Sequence, residues 1–116
     1  MTRLRSDFWV SAHIRRCGVE GIEAVLRRRG AAEAGAIFVS VDHLDGTVDL
    51  YGPAPQSLLS GDETDRLFLP VLTGAAPLDV GARMARELTF DPDLWWVSID
   101  DRLGRSGLTV PRPEGG

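Results

Sequence analysis

Disulfide stabilisation is excluded first: the chain has a single Cys, and an intramolecular bridge needs two. A multi-Cys zinc site falls by the same count. Lys and Asn are absent, so every basic side chain is Arg. Long apolar runs are missing too. The longest near the N-terminus is Phe8 to Val10, whereas a secretory signal needs about 7–15 apolar residues. No stretch approaches the roughly 18–20 of a membrane span. These absences predict a soluble cytoplasmic protein with no membrane partner.

What remains is 116 residues, 43% hydrophobic and 26% charged, with a net charge of -4. That length and balance suit one globular domain. Charge is unevenly spread. Residues 1–30 carry +4, residues 31–101 carry -10, and the tail from Arg102 carries +2. An anion site near the N-terminus is one reading. Mutual neutralisation of the segments in the fold is the plainer one.

Phe8 to Arg15 alternates, with Phe8, Val10, Ala12 and Ile14 on one side and Trp9, Ser11, His13 and Arg15 on the other. That period of two predicts a strand. Val19 to Arg29 predicts a helix from the spacing of Ile22, Val25, Leu26 and Arg29, with Gly30 as its stop. Gly35–Asp42 and Thr47–Tyr51 predict strands joined at Asp45-Gly46, a hairpin turn signal. Residues 56–65 read as an exposed acidic loop. Leu67 to Leu72 reads as an edge strand or a covering loop, because Pro70 is poorly tolerated inside a sheet. Pro77–Thr89 predicts a second helix with Leu78, Ala82, Ala85 and Leu88 buried. Leu94–Asp100 predicts a last strand. The resulting expectation is an α+β, ferredoxin-like β-α-β-β-α-β antiparallel sheet, with two helices on one face and an insertion before the second helix. The domain would span residues 1–102, followed by a flexible Gly/Pro-rich tail over 103–116.

Four stretches together resemble a known family. They are Arg3-Leu4-Arg5-Ser6-Asp7-Phe8-Trp9-Val10-Ser11-Ala12, Gly35 to Val39, Tyr51 to Ser57, and Ala85 to Trp95 with its Phe90-Asp91-Pro92-Asp93-Leu94-Trp95 run. They are similar to a family of short bacterial proteins classed only as a domain of unknown function, over about residues 3–100. The resemblance brings no catalytic residues with it. The family pattern has an aliphatic residue after the first Trp of that run, and Trp96 departs from it.

In this reading Trp9, Phe38, Tyr51 and Trp96 share the strand phase opposite the aliphatic residues, together with His13, Arg15, Ser40, Asp49, Ser98 and Asp100. Four such rings offer about 600–1,000 Å² of contact area, against about 300–600 Å² for the largest apolar patch of a typical monomer. Three covers are open: the segment Leu67–Leu72, a second copy, or a ligand. The leading expectation is a non-catalytic interaction or regulatory module forming a homodimer through Trp9, His13, Arg15, Phe38, Tyr51 and Trp96. An alternative is single-stranded nucleic acid stacked on Trp9, Phe38 and Tyr51, opposed by the acidic Asp42, Asp49 and Asp100. A second alternative is a small enzyme using His13 and neighbouring acids. His13 and Cys17, four apart, suggest a thiol–imidazole pair, and Asp42, His43 and Asp45 crowd a turn. In each case the plainer reading is an ordinary structural or surface role. No cofactor or metal is expected.

Overall fold

The computed structural model describes residues 4–55 and 66–111. The acidic segment 56–65 lies outside the described residues. Along the chain come α1 (Ser6–Val19), β1 (Glu23–Arg28), β2 (Ile37–Asp42), β3 (Val48–Pro53), β4 (Phe68–Ala75), α2 (Pro77–Phe90) and β5 (Trp95–Asp100). The strands form one sheet in the order β1-β5-β2-β3-β4. β5 runs parallel to β2, and every other neighbouring pair is antiparallel. The fold is therefore α+β with a mixed sheet. The ferredoxin-like order and the all-antiparallel sheet do not hold.

The two N-terminal elements are exchanged relative to the expectation. Residues 8–15 are helical, not extended, and residues 23–28 form a strand, not a helix. In α1 the buried positions are Ser6, Val10, His13 and Cys17, a helical i, i+4, i+7, i+11 stripe. Three of the four are not aliphatic, so the stripe is faint to hydrophobic patterning. Loop backbone caps the start of α1: the amides of Ser6 and Asp7 donate to the carbonyls of Glu33 and Ala32 at 3.2 and 3.0 Å. The helix ends where Ile22 N donates to Cys17 O at 2.8 Å and Gly21 takes φ 76°. This is the left-handed C-terminal stop that glycine supplies. β1 is an edge strand with no buried residue, so it carries no alternation for hydrophobic patterning to detect.

The helices lie on opposite faces, not on one. Val10, Cys17 and Ile22 pack with Ile37, Val39, Val41, Trp95, Val97 and Ile99. Val80 and Met84 of α2 pack with Phe38, Val48 and Leu50. Val39 and Phe38 are consecutive in β2, so they point to opposite sides. Val48 and Leu50, expected beside Val39, belong to the α2 face, because Ser40 pairs with Leu50 across the hairpin. In α2 the buried positions are Val80 and Met84. Leu78, expected inside, is 87% exposed. The hairpin forms as predicted. Asp45 Oδ1 accepts from Thr47 N and Oγ1 at 3.0 and 2.6 Å, and Gly46 takes φ 94°. β4 is an edge strand carrying Pro70 at an exposed position.

Residues 103–109, expected to trail loosely, are tied down. Arg105 donates from its backbone N and its guanidinium to the Asp101 carboxylate, with contacts from 2.8 Å. Phe68 N donates to Thr109 O at 2.9 Å, and Leu67 bridges Thr109. Residues 112–116 lie outside the described residues. The Arg105 hydrogen bonds hold the Asp101 carboxyl down to about 2, from an ordinary 3.8. A carboxyl whose pKa is lower folded than unfolded contributes its full stability above the unfolded value. That contribution is lost as pH falls from 3.8 towards about 2. Arg105→Gln is expected to return the Asp101 carboxyl towards its ordinary range and move acid unfolding to higher pH. Carboxyl carbon NMR titration and circular dichroism against pH measure both. An unmoved Asp101 titration contradicts the account.

Candidate functional site

The six residues singled out from sequence divide into three places. Trp9 and His13 sit on α1, with their rings stacked at 4.6 Å between centroids and 10° between planes. Trp9 also meets Phe68 at 5.3 Å. Tyr51 pairs with Val39 and joins the same α1-side core. Phe38 and Trp96 are neighbours on the opposite face, paired across β2 and β5. Arg15 is exposed on the outside of α1. A single aromatic sheet face does not form, because Trp9 is helical and Tyr51 follows the phase of Val39.

His13 is 2% exposed, and both ring nitrogens are engaged. Nδ1 lies 3.1 Å from Arg16 Nη2, and Nε2 lies 2.8 Å from the Ser106 carbonyl. A guanidinium only donates. Nδ1 is therefore the acceptor, and Nε2 carries the proton that Ser106 O receives. Burial pushes the pKa of this neutral ring below its ordinary value. Arg16 Nη2 donates onward to Gly107 O at 3.1 Å, and Cys17 Sγ lies 4.0 Å from the same Ser106 carbonyl. Burial raises the Cys17 thiol, which disfavours a thiolate. Chemically, this group fastens the C-terminal segment onto α1.

In the 42–49 turn, His43 Nε2 meets Asp49 Oδ2 at 2.8 Å, and Gly74 N donates to Asp49 Oδ1 at 2.8 Å. The hydrogen bond that His43 donates to the Asp49 carboxylate raises the His43 pKa. Asp42 and Asp45 spend one oxygen each on turn amides. Among the described residues no three His, Cys, Asp or Glu side chains gather closely enough to hold a metal ion. No described helix is long and apolar enough to cross a membrane.

A cleft opens on the other side of the sheet. α2 lies against β3 and β4, which leaves the β1–β5 half of its face uncovered. The cleft has a volume of about 220 Å³ and is lined by Arg27, Ser40, Asp42, Val48, Trp96 and Ser98 with the first turns of α2. The β1–β5 register shifts between Leu26 and Arg28. Arg27 lies at this irregularity and reaches over Trp96, its Cζ 4.3 Å from the ring centroid. The Trp96 indole N–H donates to Ser40 Oγ at 3.0 Å. Sequence phase had grouped Trp96, Ser40 and Ser98 correctly. It put Asp42 on the same side and missed Arg27, which the helix reading placed at a helix end. A shallower trough of about 440 Å³ runs along the outside of α1 between Phe8 and Val19.

His13→Ala removes a buried ring, its stack on Trp9 and the partner of Ser106 O. The expected cost is about 3 kcal/mol, combining cavity and hydrogen-bond losses, read from urea denaturation. In the native protein, NMR is expected to find His13 titrating below 6.5 and His43 above it. Reversed order contradicts the assignment.

Residues 4–109 match the family described as "Protein of unknown function (DUF1491)". No curated protein matches the chain. The solution structure of a protein from A. tumefaciens is 40% identical, with a TM-score of 0.80, covering 98% of this chain and 100% of its own. The crystal structure of a DUF1491 family protein from Caulobacter crescentus CB15 is 34% identical, with a TM-score of 0.77, covering 96% of this chain and 100% of its own. An NMR structure of a DUF1491 family protein from the same organism is 35% identical with a TM-score of 0.75, covering 97% of this chain and 100% of its own. By its sequence match and its fold, the chain belongs to the DUF1491 family of proteins of unknown function.

Proposed function

We propose that the protein is a non-catalytic interaction module that self-associates along β1. The observation that carries this reading is the state of that edge. No residue of β1 is buried, and Val25 is 60% exposed although it sits in the sheet. An open edge strand presents unpaired amides and carbonyls, a template for another strand. The opposite edge is blunted. β4 holds Pro70, two register irregularities against β3, and Gly74 at φ 60°. β1 has one irregularity and no Pro. Its ends carry opposite charges, Glu23 at the start and Arg28 at the finish. Antiparallel pairing with a second copy therefore brings acidic ends beside basic ones and sets the exposed Val25 side chains together.

The engaged nitrogens of His13 support a non-catalytic reading over one with His13 as a base. Base stacking has less support, because Trp9, Phe38 and Tyr51 share no common surface. Light scattering across a concentration series is expected to give a dimer. Val25→Lys sets like charges opposite each other at the proposed seam and is expected to give a monomer with unchanged circular dichroism. A native chain that stays monomeric throughout its soluble range overturns the proposal. So does a Val25→Lys variant that dimerises as the native chain does.

A further inference from the structure

The cleft beside α2 holds more polar chemistry than the fold uses. Arg27 is stacked on Trp96, yet no carboxylate among the described residues lies within ion-pair distance of it. Asp42 spends Oδ1 on the amide of Leu44 at 2.8 Å, and no described group hydrogen-bonds Oδ2. Ser40 is 5% exposed, and its oxygen accepts from the Trp96 indole. Its own hydroxyl proton is thereby still free to be donated. Ser98, paired with Ser40 in the parallel ladder, makes no side-chain hydrogen bond to a described residue. α2 begins at this cleft with Pro77, and no side chain caps it. Its first turn is closed on itself, the amides of Asp79 and Val80 donating to the Ala76 carbonyl at 2.9 and 3.2 Å, so the polar groups left for a ligand are those of the strands.

We infer that this cleft is a binding site for a small zwitterion, a molecule of amino-acid size carrying one carboxylate and one ammonium. The volume of about 220 Å³ equals about seven waters at roughly 30 Å³ each. That admits an amino-acid-sized molecule and falls below the roughly 300–1,000 Å³ of drug-sized ligand pockets. Charge selects within that size. A simple anion would gain Arg27 but meet the Asp42 carboxylate. A simple cation would gain Asp42 but meet the guanidinium. A ligand bearing both charges meets a complementary group at each end, the exposed Arg27 and the half-buried Asp42. The roles follow from the donors. Arg27, its Cζ 4.3 Å from the centre of the indole, offers its guanidinium fork to the ligand carboxylate. Ser40 and Ser98 offer hydroxyls midway. The free oxygen of Asp42 accepts from the ammonium. Self-association concerns the edge of β1 and this inference the face of the sheet; Arg27 belongs to both.

The test is NMR titration of the native chain, following the Trp96 indole N–H that donates to Ser40. The probes are zwitterions of rising length, from glycine through γ-aminobutyrate to aminohexanoate. Propionate and propylamine serve as singly charged controls. At least one zwitterion is expected to shift the indole signal saturably, with both controls at least about tenfold weaker, the loss of one charge-assisted contact. Arg27→Gln and Asp42→Asn are each expected to weaken that zwitterion by about tenfold or more. Their spectra report folding directly. Should Arg27→Gln disturb the sheet, Arg27→Lys, which keeps the charge and loses the fork, is expected to give an intermediate affinity. The inference is overturned if no zwitterion saturates, if propionate or propylamine binds as tightly as the best zwitterion, or if folded Arg27 and Asp42 variants retain native affinity.

Discussion

The parallel pairing of β2 with β5 is the constraint from which the rest of the molecule follows. Parallel neighbours cannot be joined by a hairpin, so the chain must travel through β3, β4 and α2 before returning. The two strands form the middle of the sheet, and Ile37 to Val41 are buried at every position. Both faces therefore need cover, and each receives one helix. α2 follows β4 almost directly and lies over that side of the sheet. The β1 half of the same face stays open. The cleft opens where the first turns of α2 end their cover, and the exposed edge lies beyond it.

The opposite face is closed by different means. α1 buries Ser6 and His13 alongside Val10 and Cys17. Burying polar groups is costly unless they are hydrogen-bonded. Ser6 Oγ donates to Gly35 O at 2.7 Å, and His13 bonds through both ring nitrogens. The loop receiving Ser6 is itself wedged against the start of β5. A Cβ at Gly30 or Gly35 would run into the Asp93 carbonyl, and the Trp95 indole donates to Ala31 O at 2.8 Å. Helix, loop and central strand are thus held by directional contacts as well as by apolar area.

How much of this the sequence displayed depends on where each residue finds its partner. The β2–β3 hairpin was legible because Asp45, Gly46 and Thr47 build the turn locally. β5 and α2 were legible as elements, since strong alternation marks one and Pro77 opens the other. The first thirty residues misled for opposite reasons. α1 carries its helical stripe in Ser6, His13 and Cys17, whose burial is made affordable by distant carbonyls. β1 shows a chance helical spacing because an edge strand places no demand on alternation. The cleft was half legible: strand phase put Ser40, Ser98 and Trp96 together. Arg27 joined them only through a register irregularity that no local pattern announces.

The His13–Ser106 contact joins residues 93 positions apart. During synthesis the ribosome delivers α1 well before Ser106. Until then the imidazole has only water or transient partners, and the apolar side of α1 lacks its cover. The nascent chain must therefore hold its beginning in reserve. Completion of the native packing on that face waits on the closing of this long loop.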